Sequence, residues 1–401
     1  MYASPTADVT PVHRPFANQP ASWVAQQQRR AALRRKRLQE RICARGNGGG
    51  NGDGGGGSGG SGGGGSGGSG SSGPGWRVPL LWVAAWAATA EVYSELQYRG
   101  MAVRDARRRA ELFPSDSSEP PPLRGPQQAA AAAVAPGVPP LPANPAVSII
   151  VPALNEEAGL EATLRYLQRE LSPPAAEIIV VDGGSTDRTA QVARRCGVRV
   201  LAAGRGRARQ MNAGAAAAKG DVLIFVHADT RPPPSLLPEA LAVLRRPQVV
   251  LGGFRPVIEH EGKPLRFFST NNTLKTYYGP LLLRPVSFLR GLRCLFGDQT
   301  LFCRAADFRR VGGYDSRLPI MEDADLCIRL HMAGTAARPG RRGQVVQVTA
   351  VPNRTSGRRL ASWGRLHATA VHVIIGLSWY LGARPEQLVS IYQRLYTDVY
   401  R

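Results

Sequence analysis

Short apolar runs and helix-like patterns alternate along the chain after residue 146. Each run is short enough to be a buried strand, and the four runs are Val147–Val151, Ile178–Val181, Val198–Leu201 and Val222–Val226. Leucines recur at helical spacing over residues 160–171, and small residues fill a second helical stretch at 207–219. Strands that alternate with helices predict right-handed βαβ units and a parallel sheet covered on both faces. We therefore expect residues 146–401 to form one α/β domain, a Rossmann-like three-layer arrangement with a mostly parallel central sheet.

The chain before residue 146 has a different composition. Residues 1–45 are polar and basic, and they predict either a disordered tail or a basic helix that targets an organelle or touches a membrane surface. Residues 46–75 are glycine-rich and residues 112–145 are rich in Pro and Ala, so both predict linkers. Residues 76–111, between the linkers, predict a short apolar or helical segment. The domain is thus expected to follow a largely disordered N-terminal region.

Two apolar stretches could be taken for membrane spans. Val78–Ala90 would form a helix of about 20 Å, which is short of the ~30 Å hydrocarbon core, and Arg77 and Glu91 close its ends. Peripheral contact with a membrane is the alternative for this stretch. Ala368–Leu381 is also too short to span a bilayer, and packing within the domain is its other interpretation.

Charge and cysteine content narrow the function classes. The 401 residues carry a formal net charge of +22, which favours a polyanionic ligand, a phosphate-rich substrate or an anionic membrane surface. No zinc-finger spacing and no basic stretch interleaved with aromatic residues occurs, so nucleic acid is not an expected partner. The five cysteines show no C-x-x-C spacing and predict a reducing compartment, such as the cytoplasm or an organelle like a plastid.

Polar side chains follow each of the four predicted strands. The first strand is followed by Pro152–Glu157, the second by Asp182 with two glycines, the third by the basic stretch 205–212, and the fourth by Asp229. Ligands bind beyond the carboxyl ends of the strands in open α/β sheets, so these residues are expected at one ligand-binding edge. An aspartate there suits Mg²⁺ or Mn²⁺ held against phosphates, although capping of the next turn would also explain Asp229.

Several motifs in order resemble the GT-A domain of family 2 glycosyltransferases. The first three are VSIIVPALNEE, EIIVVDGGSTDRT and GRARQMNAGAAAAKGDVLIFVHADT; they are followed by FGDQTLFCRAADFRRVGGYD (296–315), PIMEDADLCIRL (319–330), TSGRRLASWG (355–364) and YLGARPEQLVSIYQ (380–393). The resemblance covers about 250 residues after Ala146. The GRARQMNAGA, HADT, GDQ and MED motifs together look most like the radical-SAM/selenodomain-associated transferases, a subfamily linked to arsenosugar biosynthesis. The resemblance implies a GT-A type fold and a nucleotide-diphosphate sugar as donor.

The resemblance also implies a donor site at named positions. Pro152, Asn155 and Glu156 match the loop against the nucleotide base and ribose, Asp182 matches the carboxylate that recognises the base, and Asp187 ends the same signature. Independently, a cationic helix start is suited to phosphates, and its candidates are Arg207, Arg209, Gln210 and Asn212. A further group would close over the diphosphate, with a solvated basic turn as the alternative: Arg358, Arg359 and Trp363.

One metal ligand is implied with a departure from the family pattern. Asp229 matches the last residue of the D-x-D metal motif, but His227 replaces the first aspartate. A single carboxylate holds Mg²⁺ or Mn²⁺ mainly through waters and the diphosphate. His227 is open to three interpretations: a ribose contact, a metal ligand, or packing at a strand end.

The catalytic pair is expected at the start of a helix predicted over Met321–Leu330. Glu322 and Asp323 match the position of the general base, with Asp323 the better placed, and inverting transfer uses one such carboxylate. Asp298 and Gln299 are expected to line the acceptor or sugar pocket. Negative charge that complements the helix dipole is the alternative explanation for Glu322, Asp323 and Asp325.

The sequence therefore predicts a glycosyltransferase that moves a sugar from a nucleotide-diphosphate sugar to an unknown acceptor, by an inverting and metal-assisted reaction. Two alternatives stay open. The first is a transferase that acts on a lipid-phosphate acceptor at a membrane, which the basic N-terminus and Val78–Ala90 would serve. The second is a protein that binds nucleotide sugars or acts as a scaffold without turnover.

Overall fold

A computed structural model of the chain describes residues 77–113, 141–170, 176–339 and 341–395. The predictions for the basic tail at 1–45, for the glycine-rich linker at 46–75 and for most of the linker at 112–145 lie outside these residues. The remaining expectations can be compared with the structure.

The described residues form twelve helices and eleven strands. The helices are α1 (Arg77–Leu112), α2 (Leu160–Glu170), α3 (Thr189–Arg195), α4 (Arg207–Ala217), α5 (Leu236–Leu244), α6 (Arg266–Leu283), α7 (Pro285–Leu289), α8 (Ala305–Arg310), α9 (Glu322–Ala333), α10 (Arg358–Trp363), α11 (Arg365–Tyr380) and α12 (Pro385–Leu395). The strands are β1 (Val147–Ala153), β2 (Ala176–Asp182), β3 (Arg199–Ala202), β4 (Val222–Phe225), β5 (Thr230–Arg231), β6 (Val249–His260), β7 (Lys263–Pro264), β8 (Leu301–Arg304), β9 (Gly334–Thr335), β10 (Arg338–Pro339) and β11 (Gln344–Ser356). A 3₁₀ turn covers Gly297–Gln299.

The central sheet has the order β3-β2-β1-β4-β8-β6-β11-β5, with β7 paired to β6. The four strands from β3 to β4 are mutually parallel, as the alternation of runs and helices predicts. β8 is antiparallel to both β4 and β6, while β6 and β11 are parallel to each other. β6 and β11 therefore run in the same direction as β1 to β4, and the expected mostly parallel α/β sheet is confirmed.

Side chains of alternate strand residues bury themselves on opposite faces of this sheet. Ile150 and Leu223 belong to one core cluster, together with residues of α4, α8 and α9. Ile149 and Ile224 belong to the other, together with residues of α2, α3 and α5. Because both faces are covered by helices, the strands are apolar on both sides, which explains why they read as continuous runs. The predicted three-layer arrangement follows.

β1 continues further than predicted. The sequence predicts an apolar run over Val147–Val151 that ends at Pro152, but Pro152 pairs with Val181 and the strand ends at Ala153. Ile150 accepts a hydrogen bond from Val226 on the β4 side, so the nitrogen of Pro152 faces the same side. The β1–β4 ladder has already ended there, and the missing donor costs nothing.

The segment predicted at 76–111 is a 36-residue helix, α1, which contacts the domain through polar groups. Tyr93 Oη and Gln97 Nε2 both donate to the carbonyl of Tyr380, at 3.0 and 2.9 Å. Among the described residues, no helix is long and apolar enough to cross a bilayer. Peripheral contact of Val78–Ala90 with a membrane stays a prediction.

The apolar stretch at 368–381 forms most of α11. Ala368, Val371 and Ile375 are buried, and the last two form a small cluster with residues of α12. This arrangement agrees with packing within the domain.

Gly214 sets how closely α4 lies to β1 and β2. A Cβ at this position would lie 2.4 Å from Ile150 Cγ2 and 3.1 Å from Val181 Cγ2, both buried. We expect Gly214→Ala to lower the free energy of unfolding by about 1–3 kcal/mol, because overpacking exceeds the gain in helix propensity. Urea unfolding measures this change. Gly159→Ala is the control, since a Cβ there meets nothing within 4 Å. Equal stability of the two variants would contradict the close packing.

Candidate active site

A cavity of about 920 Å³ opens beyond the carboxyl ends of the strands. Ten of the residues singled out in the sequence line it. They come from six separate segments of the chain: Glu156, Arg207, His227, Asp229, Asp298, Glu322, Asp323, Arg358, Arg359 and Trp363. Of the residues that the sequence places at one ligand-binding edge, Glu156, Arg207 and Asp229 lie together in this lining.

Asp229 lies just beyond β4 and faces the arginines of α10. Its Oδ2 is 3.9 Å from Arg358 Nη2, and the same nitrogen is 3.4 Å from Glu156 Oε2. Burial raises the pKa of Asp229, while the charges of Arg358 and Arg359 lower it. Arg358 thus links the loop after β1 to the residue predicted as the metal ligand.

His227 provides a neutral nitrogen next to this carboxylate. Its Nε2 is buried and has no hydrogen-bond partner among the described residues. Burial, assisted by the charges of Arg207 and Arg359, lowers the pKa of His227 to about 3, so its ring is uncharged at neutral pH. A neutral imidazole with an unpartnered ring nitrogen can bind a metal ion or form a hydrogen bond, in which its tautomer sets whether it donates or accepts.

The residues at this position fit a metal ion only in part. His227 and Asp229 offer one nitrogen and one oxygen, and no group of three or more His, Cys, Asp or Glu side chains within the described ranges could hold an ion. Mg²⁺ retains several waters and is commonly bound by one or two carboxylates plus substrate phosphates. The donor set therefore fits a cation that takes further ligands from a bound diphosphate.

Gly297 lies between His227, just beyond β4, and Asp323, at the start of α9. A Cβ on Gly297 would lie 2.3 Å from His227 Nε2 and 3.2 Å from Asp323 Oδ2, so these two side chains face the same small space. The backbone nitrogen of Gly297 donates to Asp323 Oδ2 at 2.8 Å. Only glycine permits both approaches.

Two carboxylates open α9 as the sequence predicts. Glu322 and Asp323 are 2% and 6% exposed, and Met321 before them has a φ of 69°, a left-handed conformation that is rare for a side chain of this size. Glu322 Oε1 is 3.2 Å from Arg207 Nε at the start of α4. Asp325 instead pairs with Arg329 at 2.7 Å inside the protein, so its role is structural.

Asp323 has an unusual electrostatic environment. Burial raises its pKa well above the ordinary value, the neighbouring Glu322 raises it further, and Arg207 opposes both. Its Oδ1 has no hydrogen-bond partner among the residues described. A carboxyl group with a raised pKa and a free oxygen in a cavity is suited to accept or deliver a proton near neutral pH.

The side chains of Asp298 and Gln299, in the 3₁₀ turn, have different surroundings. Asp298 lines the cavity and accepts a hydrogen bond from Asn272. Gln299 was expected in the pocket but is fully buried, where it donates to Asn272 Oδ1 and accepts from Gln347 Nε2 at 2.9 Å. Its amide completes a polar network beneath the cavity, which the motif alone did not reveal.

The loops after β1 and β2 bind each other, and apart from Glu156 they lie outside the cavity lining. Asn155 Oδ1 accepts from the backbone nitrogen of Thr186 at 2.8 Å, and Asp182 accepts from the hydroxyl and backbone nitrogen of Ser185. Asp187 accepts from the Thr189 backbone at the start of α3, and hydrogen bonds of this kind lower the pKa of Asp187 against the opposing effect of burial. Pro152 is buried in β1.

Two residues predicted to bind phosphates make hydrogen bonds within the fold. Gln210 Nε2 donates to the carbonyls of Ala153 and Val181, at 2.8 and 2.9 Å, and so fastens α4 to the ends of β1 and β2. Asn212 exchanges hydrogen bonds with the Tyr314 backbone. Arg209 is exposed and does not line the cavity.

Sequence reasoning missed the contribution of α6 and the segment after it. Asn272, Lys275 and Arg284 line the cavity, and Lys275 Nζ lies 4.0 Å from the ring centroid of Phe296. Burial lowers the pKa of Lys275, whereas Asp298 and Asp323 raise it. The only sequence signal was that Lys275 is one of four lysines in a chain whose basic residues are mostly arginine, and this signal was not sufficient.

Comparison with known proteins shows which family the chain resembles. Residues 148–307 match the family model described as glycosyl transferase family 2. The PGL/p-HBAD biosynthesis glycosyltransferase of Mycobacterium bovis (strain BCG / Pasteur 1173P2) is 32% identical over 203 residues, which are 47% of this chain and 70% of that protein. The pre-mycofactocin glycosyltransferase of Mycobacterium tuberculosis (strain CDC 1551 / Oshkosh) is 28% identical over 204 residues, 49% of this chain and 41% of that protein. The chain thus spans about two fifths of the length of this relative.

Solved structures show a similar fold. Glucosyl-3-phosphoglycerate synthase from Mycobacterium tuberculosis, in complex with Mn²⁺, UDP and glucosyl-3-phosphoglycerate, matches with a TM-score of 0.42 and 24% identity, over 60% of this chain and 81% of that one. A mannosyltransferase from Pyrobaculum calidifontis, in complex with GDP-Man and Mn²⁺, matches with a TM-score of 0.44 and 18% identity, over 77% and 79% of the two chains.

The role of Gln210 can be tested without any ligand. Gln210→Met keeps the side-chain volume but removes two buried hydrogen bonds, so we expect the free energy of unfolding to fall by about 1–3 kcal/mol. Arg209→Met is the matched control on the same helix, where an exposed side chain should change stability by less than about 0.5 kcal/mol. Chemical denaturation measures both. Unchanged stability of Gln210→Met would return Gln210 to the candidates for ligand binding.

Proposed function

Because the chain belongs to glycosyl transferase family 2, we propose that it transfers a sugar from a nucleotide-diphosphate sugar to an acceptor hydroxyl with inversion at the anomeric carbon. The observation that carries this proposal is the approach at Gly297. His227, just beyond β4, and Asp323, in the first turn of α9, both lie against this glycine.

The donor diphosphate lies, on this proposal, between the ends of β4, α4 and α10. Arg207, Arg358 and Arg359 line that part of the cavity and supply the positive charge that phosphates require. Pro152, Asn155 and Asp182 lie at the neighbouring ends of β1 and β2, where they would support the nucleoside. Asp187 shapes the same pair of loops through the hydrogen bonds described above.

A divalent cation is part of the proposal. His227 and Asp229 would hold Mg²⁺ or Mn²⁺, and the bound ion would neutralise charge that develops on the leaving diphosphate. Support comes from the orphaned Nε2 of His227, since a buried polar atom without a partner is expected to have one in the functional state.

Asp323 is the proposed general base. The acceptor oxygen forms a bond to the anomeric carbon while the bond from that carbon to the diphosphate oxygen breaks, and the acceptor proton passes to Asp323. Asp323 must be ionised for this step, and the positive charges of Arg207 and Lys275 favour its ionised form. The negative charge of Glu322 has the opposite effect and raises the pKa of Asp323. The balance of these charges therefore sets the pKa of the proposed base.

The finer expectations stay predictions. They are the radical-SAM-associated subfamily, the reducing compartment, the lipid-phosphate acceptor at a membrane, and the alternative of a binding or scaffold protein without turnover. The scaffold alternative predicts that no sugar is transferred, so a change at Asp323 would not affect turnover.

The metal assignment is tested with Asp229→Ala. For the unaltered protein, we expect Mn²⁺ together with a UDP-, GDP- or dTDP-sugar to raise the melting temperature, with about 2.7 kcal/mol of stabilisation at 100 times the dissociation constant. The variant should lose the part of this stabilisation that depends on Mn²⁺ and keep its melting temperature without ligand. Glu161→Gln, which alters an exposed carboxylate on α2, is the control. Full Mn²⁺-dependent stabilisation of Asp229→Ala would refute the assignment.

The base assignment is tested with Asp323→Asn. This change keeps the shape of the side chain but removes the proton acceptor, so turnover should fall by about 10²–10⁴-fold while donor binding is nearly unchanged. Steady-state kinetics and donor titration measure the two quantities. Weaker donor binding with unchanged turnover of bound donor would instead make Asp323 a binding residue, and the base would be sought at Glu322 or Asp298.

Glu322→Gln provides a control through the pH profile. The deprotonated form of Asp323 is active, so kcat/KM should rise with pH through its raised pKa, above the range of an ordinary aspartate. Removing the negative charge of Glu322 lowers the pKa of Asp323, and the rising limb should shift to lower pH. A shift to higher pH, or none, would contradict the coupling.

A further inference from the structure

Arg284 is a buried cation in the cavity wall, next to the C-terminus of α6. It directly follows α6, lines the cavity and is 3% exposed. Its Nη2 donates to Gln97 Oε1 on α1, and its guanidinium carbon lies 5.7 Å from the ring centroid of Tyr380. Its Nε and Nη1 are buried and have no hydrogen-bond partner among the described residues.

No carboxylate within the described ranges lies within 4 Å of this guanidinium, and burial lowers the pKa of Arg284. Glu91, whose charge raises the pKa of Arg284, is already 3.3 Å from Arg342 and 3.9 Å from Arg290. A buried charge without a counter-ion is strongly destabilising, and buried charges in proteins are ordinarily paired. The described residues therefore supply no anion to pair with the guanidinium of Arg284.

The adjoining walls of the cavity are apolar. Tyr278 and Leu282 of α6 and Val373 and Leu377 of α11 line the cavity and are nevertheless 38%, 57%, 42% and 45% exposed, in that order. Side chains that both line the cavity and reach solvent mark its mouth. This mouth is distinct from the charged end at Asp229, where the donor is placed.

We propose that the acceptor is an anionic amphiphile: its phosphate or carboxylate binds the fork of Arg284, and its apolar part lies against the mouth between α6 and α11. This assignment rests on the proposed glycosyl transfer, with the accepting hydroxyl at Asp323. Arginine suits the task because its planar donors match both oxygens of such an anion. The same chemistry could come from a small soluble molecule or from a lipid in a bilayer.

Octyl phosphate is the probe, and uncharged octyl glucoside is its matched control. With the full-length protein we expect octyl phosphate to bind and to raise the melting temperature more than octyl glucoside does. Arg284→Gln should weaken octyl phosphate binding by about 10- to 100-fold, the range expected for lost hydrogen bonds to a charged group. Arg290→Gln is the control variant, because it removes the same charge from an exposed side chain nearby that does not line the cavity.

Stability without ligand separates binding from a structural role. If Arg284 serves a ligand, Arg284→Gln should leave the melting temperature equal or higher, because it removes an uncompensated buried charge. A lower melting temperature together with unchanged octyl phosphate affinity would overturn the proposal. If Arg284→Gln does not fold, Arg284→Lys keeps the charge but not the fork, and unchanged affinity of that variant would count against the fork geometry.

The source of the anion is tested with vesicles of phosphatidylcholine, with and without phosphatidic acid. Sedimentation that needs both phosphatidic acid and Arg284 supports a lipid source, whereas Arg284-dependent binding of octyl phosphate alone supports a soluble one. Dependence on Arg284 in neither assay refutes the anionic acceptor. Stabilisation of Arg284→Gln by donor and Mn²⁺ is measured in parallel, so failure of the acceptor proposal is distinguishable from failure of the transferase proposal.

Discussion

The site depends on one close approach, that of the 3₁₀ turn to the end of β4 and to the first turn of α9. Gly297 has no side chain, so His227 and Asp323 can face each other across its backbone, and its nitrogen holds Asp323 in place. A methyl group there would force His227 away from its position. The glycine therefore fixes the distance between the wall that would bind donor and metal and the wall that would accept the proton.

This approach is supported by backbone that is otherwise unfavourable. Thr300 and Met321 have φ values of 50° and 69°, and side chains in this region cost about 1–3 kcal/mol each. Hydrogen bonds beneath the turn offset the cost, since Asn353 accepts from Thr300 Oγ1 and donates to the carbonyl of Asp298. The buried amide of Gln299 also lies beneath the turn, which explains why the GDQ motif matters although its glutamine does not line the cavity.

The parallel half of the sheet could be predicted because fully buried strands leave continuous apolar runs. The insertion of β8 between β4 and β6 could not, since a short strand that pairs with distant neighbours has no periodic signal of its own. For the site, Asp182 and Asp229 were found from their positions at strand ends, whereas Glu322 and Asp323 were found from the family resemblance. A polar residue at a helix start can bind a ligand or connect the helix to the strands, and the sequence does not reveal that Gln210 Nε2 donates to two strand carbonyls. Arg284 follows a helix without a motif, and its burial is visible only in three dimensions.

The ion pairs in the cavity describe how a donor would enter. Arg358 stands between Glu156 and Asp229, at 3.4 and 3.9 Å, and its side chain is 56% exposed. Pairs this exposed contribute about 0–1 kcal/mol, so exchanging them is inexpensive. A bound diphosphate would pair with Arg358, and a divalent cation would bind Asp229. The weak pair between Arg358 and Asp229 would then be replaced by two stronger interactions. Donor and metal would then bind cooperatively, because each one frees the protein group that the other uses.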